Sequence, residues 1–237
     1  MNETDPVTRP IPIIALDVPD AAGAFALLDR VGPAADFVKV GLQLFTAEGP
    51  SVVRELRGRG KRVFLDLKLH DIPNTVAHAV ASAAALDVEL LTVHASGGAA
   101  MLRAAAEAAT GGRLSLLGVT ILTSLDEAGL AQAWGRDRVA VDEEVGRLAT
   151  LTWECGIPGV VASVHEIAAV RRAAGGLRVL TPGIRLAGDA AGDQSRVATP
   201  ADAARLGADY VVLGRSVTAA PDPAAALARA IEELGTS

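Results

Sequence analysis

Apolar residues along this chain gather into short runs separated by stretches with helical spacing. The runs read as strands over Ile11 to Asp17, Phe37 to Gly41, Leu90 to His94, Ser115 to Leu122, Gly159 to Ala162, Arg178 to Pro182 and Tyr210 to Gly214. An eighth starts at Arg62-Val63-Phe64-Leu65 and leaves the extended state before Pro73. Between them, helical patterns run from about Asp20 to Val31, Gly49 to Arg57, Asn74 to Leu86, Gly98 to Ala109 and Asp142 to Cys155. A small extra helix is predicted over Asp126 to Trp134, and a last one over Pro223 to Leu234.

Short apolar strands alternating with amphipathic helices predict a parallel sheet covered on its outer side. Eight such units in 237 residues favour closure, so the fold class reads α/β, a single (β/α)8 TIM barrel. A doubly wound open sheet is the structural alternative. It is disfavoured because the first strand is followed by Asp-Val-Pro-Asp-Ala-Ala-Gly and not by G-x-G-x-x-G. Residues 1–10 are polar, carry two prolines and predict a flexible tail, leaving 11–237 as one domain.

Composition narrows the classes. A net charge of -6 argues against a nucleic-acid or anionic-membrane surface, so an anionic substrate needs a local cationic pocket. Cys155 is the only cysteine, which excludes an internal disulfide and suits a reducing compartment. The first ten residues lack the regions of a signal peptide, and no apolar run reaches the roughly 18 residues of a membrane helix. The expectation is a soluble, cytoplasmic protein.

Candidate chemistry concentrates in Asp66-Leu67-Lys68-Leu69-His70-Asp71-Ile72-Pro73-Asn74-Thr75. Strand alternation points Phe64, Asp66 and Lys68 to one face and Val63, Leu65, Leu67 and Leu69 to the other. The aliphatic set reads as the face under the helices. The opposite face carries a carboxylate and an ammonium, with Asp71 just past the strand end. On a solvated strand such a pair is an ordinary surface ion pair of little energetic weight. In a sheet covered by helices that reading loses its ground.

Other polar residues fall at the C-terminal ends of the predicted strands: Asp17, Lys39, His94, Thr123, Ser124 and Arg215. In a (β/α)8 barrel these ends share one mouth, where active sites are built. Gly183 follows the seventh strand, and Gly214-Arg215-Ser216 follows the eighth, the habitual place for a phosphate site. Between them Arg185 to Thr199 is long, polar and glycine-containing, a pattern that predicts a disordered segment or an active-site lid, with the lid favoured.

The ten-residue segment closely resembles the signature of the orotidine 5'-phosphate decarboxylase family, in which Asp-x-Lys-x-x-Asp is followed in bacterial members by Ile-Pro-Asn-Thr. Thr181-Pro182-Gly183-Ile184-Arg185, Asp193-Gln194 and Gly214-Arg215-Ser216 resemble that family's phosphate and lid motifs, and the likeness runs from Ala15 to Ser216. The resemblance implies decarboxylation of orotidine 5'-phosphate to uridine 5'-phosphate without a cofactor or metal. It makes Lys68 the proton donor, with Asp66 facing the substrate carboxylate and Asp71 keeping Lys68 charged. It gives Asp17 and Lys39 the ribose hydroxyls, Lys39 also pairing with Asp66, and gives Thr123 and Ser124 the pyrimidine. Arg215 and the Gly214 N–H would bind phosphate with Arg185 nearby, and Gln194 would bridge phosphate to pyrimidine. Asp71 and Thr75 would come from the partner of a homodimer.

The alternatives are a magnesium-dependent sister barrel, of the hexulose-phosphate synthase or ketogulonate-phosphate decarboxylase kind, and a non-catalytic phosphoribosyl-binding barrel. His94 reads as a hydrogen-bonded interior histidine, and His70 with Asp71 gives way as a metal site to the fixed cation of Lys68. Ser96-Gly97-Gly98 reads as a helix start, and Trp134 and Trp153 as packing residues.

Overall fold

The computed structural model describes residues 9–186 and 198–235. Eight parallel strands close into a barrel in chain order: β1 (Ile11–Ala15), β2 (Phe37–Gly41), β3 (Arg62–Leu69), β4 (Leu90–His94), β5 (Ser115–Val119), β6 (Gly159–Val161), β7 (Arg178–Ile184) and β8 (Tyr210–Leu213). β1 pairs with β8, Ile11 opposite Tyr210 and Ile14 opposite Leu213. Around them run α1 (Ala21–Val31), α2 (Leu42–Glu48), α3 (Pro50–Gly58), α4 (Pro73–Ala84), α5 (Gly98–Ala108), α6 (Glu127–Trp134), α7 (Val141–Glu154), α8 (Ile167–Ala173), α9 (Pro200–Leu206), α10 (Arg215–Thr218) and α11 (Pro223–Glu233). The predicted single (β/α)8 barrel is the fold. Among the described residues no helix is long and apolar enough to cross a membrane.

The period-2 alternation of each strand sorts its side chains into two cores. Ile13, Phe37, Phe64, Leu90, Leu117, Leu180 and Tyr210 fill the barrel interior, with Phe37 edge-on to Tyr210 at 6.4 Å between ring centres. Ile14, Val38, Val63, Leu65, Leu91, Val179 and Val211 point outward and pack under the helices. Each such side chain contributes roughly 1.5–3 kcal/mol relative to exposure. Toward the C-terminal end the inward positions shrink to Ala15, Val119, Val161 and Val212 and then turn polar, so the interior opens into a cavity there.

Several boundaries differ from those expected. β1 stops at Ala15, two residues short of Asp17, β6 at Val161 and β8 at Leu213, while β7 continues past Pro182 to Ile184. β5 ends at Val119 because its neighbour β6 has only three residues; Thr120 closes the edge, its N–H and its hydroxyl both donating to the Val161 carbonyl. The helix predicted from Gly49 is preceded by another, α2. Gly49, at φ +61°, terminates α2, and Pro50 starts α3 at its first turn. Short helices α8, α9 and α10 occupy stretches for which no helix is predicted. Trp134 packs against the core as expected. Trp153 is 50% exposed, its indole lying across Gly176, where a Cβ would come within 2.9 Å of the ring.

Candidate active site

The cavity at the C-terminal mouth holds about 280 Å3 and is lined by all but one of the barrel strands or the residues just beyond them. Strand parity places its charges. Asp17 continues the inward series of Ile13 and Ala15, Lys39 that of Phe37, and Asp66 and Lys68 that of Phe64. The four form an alternating array. Lys39 Nζ donates to Asp17 Oδ1 at 2.7 Å and stands 3.8 Å from Asp66 Oδ2. Lys68 Nζ reaches both oxygens of Asp66 at 2.8 Å. The Lys39 side chain is only 9% exposed, so its charge is tolerable there because two carboxylates face it.

Two residues that sequence reasoning passed over hold this array. Thr92, fully buried in β4, donates its hydroxyl to Asp66 Oδ1 at 3.0 Å and accepts the Lys68 backbone N–H at 2.9 Å. Gly41 ends β2 where a Cβ would lie 2.9 Å from Lys39 Nζ and 3.2 Å from Asp17 Oδ1, so a side chain would displace the ion pair. Their only sequence signals were a hydroxyl on the inward parity of an apolar strand and a glycine at a strand end.

Lys68 adopts a left-handed backbone, φ +49°, and the register of β3 against β4 shifts between Leu65 and Leu69. This bulge takes Lys68 out of the ladder, which resumes at Leu69 opposite Val93, while its side chain still faces the cavity. Pro73 then starts α4 at a position that needs no N–H donor. Asp71 and Thr75 lie on the exposed connection and first turn, outside the cavity; Asp71 Oδ1 accepts from the Ile72 N–H at 2.6 Å. Ile72 is 66% and Leu42 56% exposed.

Across the mouth, Ile121, Leu122 and Thr123 form one wall and Pro182, Gly183, Arg185 and Gly214 another. Ser124 and Arg215 are exposed and lie outside the lining, Ser124 one residue past Thr123 and Arg215 at the start of α10. Arg185 is buried, and its Nη1 donates to the Ile184 carbonyl at 3.0 Å. Ala198 ties the ends of the following connection together, accepting the Arg185 N–H at 2.9 Å and donating to the Gly183 carbonyl at 3.3 Å. Most of the expected lid, Gln194 included, lies outside the described residues, as does most of the expected tail.

His94 is half-buried, its ring centre 5.3 Å from that of His70. Burial, then the neighbouring His70 and Lys68, hold its pKa below the ordinary imidazole value, against a smaller opposing pull from Asp66. Among the described residues no three His, Cys, Asp or Glu side chains gather as a metal site. The arrangement offers an ammonium gripped by a partly buried carboxylate at one side of a cavity, and glycine backbone with a guanidinium at the other.

A family model described as orotidine 5'-phosphate decarboxylase / HUMPS matches residues 10–230. The orotidine 5'-phosphate decarboxylase of Moorella thermoacetica is 54% identical over 227 residues, covering 92% of this chain and 89% of that protein. That of Anaeromyxobacter dehalogenans is 54% identical over 222 residues, covering 92% and 94%. Among solved structures, orotidine 5'-phosphate decarboxylase from Lactobacillus acidophilus superimposes with a TM-score of 0.84 at 34% identity, covering 97% of this chain and 100% of that one. An uncharacterized conserved protein from Geobacillus kaustophilus gives 0.80 at 38% identity, covering 94% and 99%.

Proposed function

Because the chain belongs to the orotidine 5'-phosphate decarboxylase / HUMPS family, we propose that it converts orotidine 5'-phosphate to uridine 5'-phosphate and CO2. This is the last step of de novo pyrimidine nucleotide synthesis, and a cytoplasmic location suits it. The enzyme is a carboxy-lyase of a barrel type whose relatives over most of the chain carry that activity in their names. The observation that carries the reading is the Lys68 ammonium, held 2.8 Å from both oxygens of Asp66 inside the barrel mouth.

Loss of CO2 from C6 leaves an electron pair in the plane of the ring, where no π-system absorbs it. Fixed charge is the resource these residues supply. The C6–carboxylate bond breaks, the pair remains on C6, and Lys68 Nζ delivers a proton to it. Solvent then returns the proton to the amine. Asp66 faces the departing carboxylate, and their repulsion is relieved as neutral CO2 forms. Asp17 and Lys39 hold the ribose hydroxyls, and Thr123 and Ser124 the pyrimidine. The Gly214 N–H and Arg215, with Arg185 near, take the phosphate; Gln194 bridges it to the base. Binding energy gathered at the phosphate, remote from C6, is thereby available to the chemical step.

Asp71 and Thr75 serve the neighbouring subunit of a homodimer. Their exposure on the mouth, alongside Ile72, supports this: an apolar side chain left open there suits burial against a second copy.

The test is the fall in ultraviolet absorbance on incubating chelator-treated protein with orotidine 5'-phosphate. Full turnover after chelation, lost in Lys68→Ala while uridine 5'-phosphate still binds, is the expected result. Activity that vanishes with chelator and returns with magnesium would instead point to the sister sugar-phosphate enzymes.

A further inference from the structure

Thr92 touches neither solvent nor the cavity; it stands behind Asp66 and Lys68. Its hydroxyl is nonetheless the shared partner of both. The register shift leaves Asp66, Leu67 and Lys68 without partners in the paired register with β4, and the paired register with β2 ends at Asp66. The Lys68 N–H has therefore left the ladder, on a backbone that is unfavourable for a residue bearing a side chain. A partly buried N–H outside the ladder needs an acceptor, and the fully buried Thr92 Oγ1 provides it at 2.9 Å. Having accepted, the same oxygen directs its proton to Asp66 Oδ1 at 3.0 Å. The two bonds run in series, so each strengthens the other.

We propose that Thr92 is a positioning residue: one hydroxyl holds both the bulge that aims Lys68 and the rotation of the Asp66 carboxylate. The two reacting groups are then set against each other by one atom on a neighbouring strand. This inference rests on the decarboxylation proposed above. Packing alone does not need the hydroxyl, because valine has nearly the same shape. Replacing Thr92 by valine leaves the Lys68 N–H without a partner and Asp66 free to turn about its last torsion. It carries the ammonium with it, since Lys68 Nζ bonds both carboxylate oxygens.

The experiment compares Thr92→Val and Thr92→Ser with the wild type in steady-state decarboxylation, uridine 5'-phosphate affinity and thermal unfolding. Thr92→Val is expected to lower kcat by about ten- to a hundredfold, with product affinity within about threefold. Thr92→Ser, which keeps the hydroxyl and loses the methyl, is expected to recover most of kcat. A Thr92→Val protein with wild-type kcat, or a Thr92→Ser protein as impaired as the valine variant, overturns the proposal. Amide hydrogen exchange on the unmodified protein gives a second arm, independent of substrate and of any variant's folding. The Lys68 N–H should be protected although it stands outside the ladder, and exchange at the rate of an exposed amide overturns the proposal. An inactive wild type with a protected Lys68 amide would sink the decarboxylase reading and leave the hydrogen-bond geometry standing.

Discussion

A methyl group on residue 41 has to share space with Lys39 Nζ and Asp17 Oδ1, 2.9 and 3.2 Å from where its Cβ would sit. Gly41→Ala is therefore expected to push the buried ammonium off Asp17, lowering kcat/KM about ten- to a hundredfold. Initial rates at low substrate measure it, and a variant with wild-type kcat/KM would show that the array tolerates displacement. This position also shows where reading from sequence stops. Asp66 and Lys68 were legible because charge on the parity of Phe64 contradicts an apolar barrel interior. Gly41 and Thr92 were not, since a glycine closing a strand and a β-branched hydroxyl within one are ordinary on local grounds. Their roles exist only across strands, in contacts that pair β1 with β2 and β3 with β4.

Among the elements, the strands were legible in number, order and starting residue, because burial on both faces leaves continuous apolar runs, while several ends shift by one to three residues. The misses are short helices. α8 and α9, of seven residues each, make about two turns, too few for a 3.6-residue period to stand out. α2, also of seven residues, was missed in the same way, and one glycine both ends it and begins α3. At φ +61° Gly49 occupies a conformation that a Cβ disfavours, with open space around it. Gly49→Ala should thus lower stability by about 1–2 kcal/mol through backbone strain alone, leaving turnover unchanged. Urea unfolding monitored by circular dichroism measures it, and an unchanged midpoint would mean that the junction relaxes freely.

For the molecule as a whole, the base of the barrel and its mouth set different dependences. At the base Arg62 grips Glu89 through two bonds, 2.9 and 2.5 Å, while lying over the Phe37 ring. Arg113 links Glu89 to Asp87, which also pairs with Arg57. The hydrogen bond from Arg62 holds the Glu89 carboxyl below its ordinary pKa against the opposing pull of burial, and that from Arg57 does the same for Asp87. Carboxyls depressed in the folded state contribute stability above their unfolded pKa and lose it as pH falls through the lower folded values. Unfolding temperature should therefore drop below about pH 4, and less steeply in Glu89→Gln. Calorimetry across that range checks it; equal slopes would assign the acid loss elsewhere. At the mouth, mixing Lys68→Ala with Asp71→Ala under subunit exchange should restore activity in about a quarter of all sites if Asp71 crosses to the neighbour. Activity remaining at parental levels after exchange confirmed by mass would place Asp71 in its own chain's site.

The pairing of β1 with β8 has a consequence for how the protein comes into being. Ile11 to Ile14 are made long before their partners Tyr210 to Leu213. During translation the growing sheet keeps two unsatisfied edges until β8 has emerged from the ribosome. The ring closes in one late event that joins the first and last strands and pays the entropy of a long loop at once. Until then the charges on β1, β2 and β3 stand on an open sheet, apart from the opposite wall of Pro182, Gly183 and Gly214. The cavity, and not the ion array, is born with the closing of the seam.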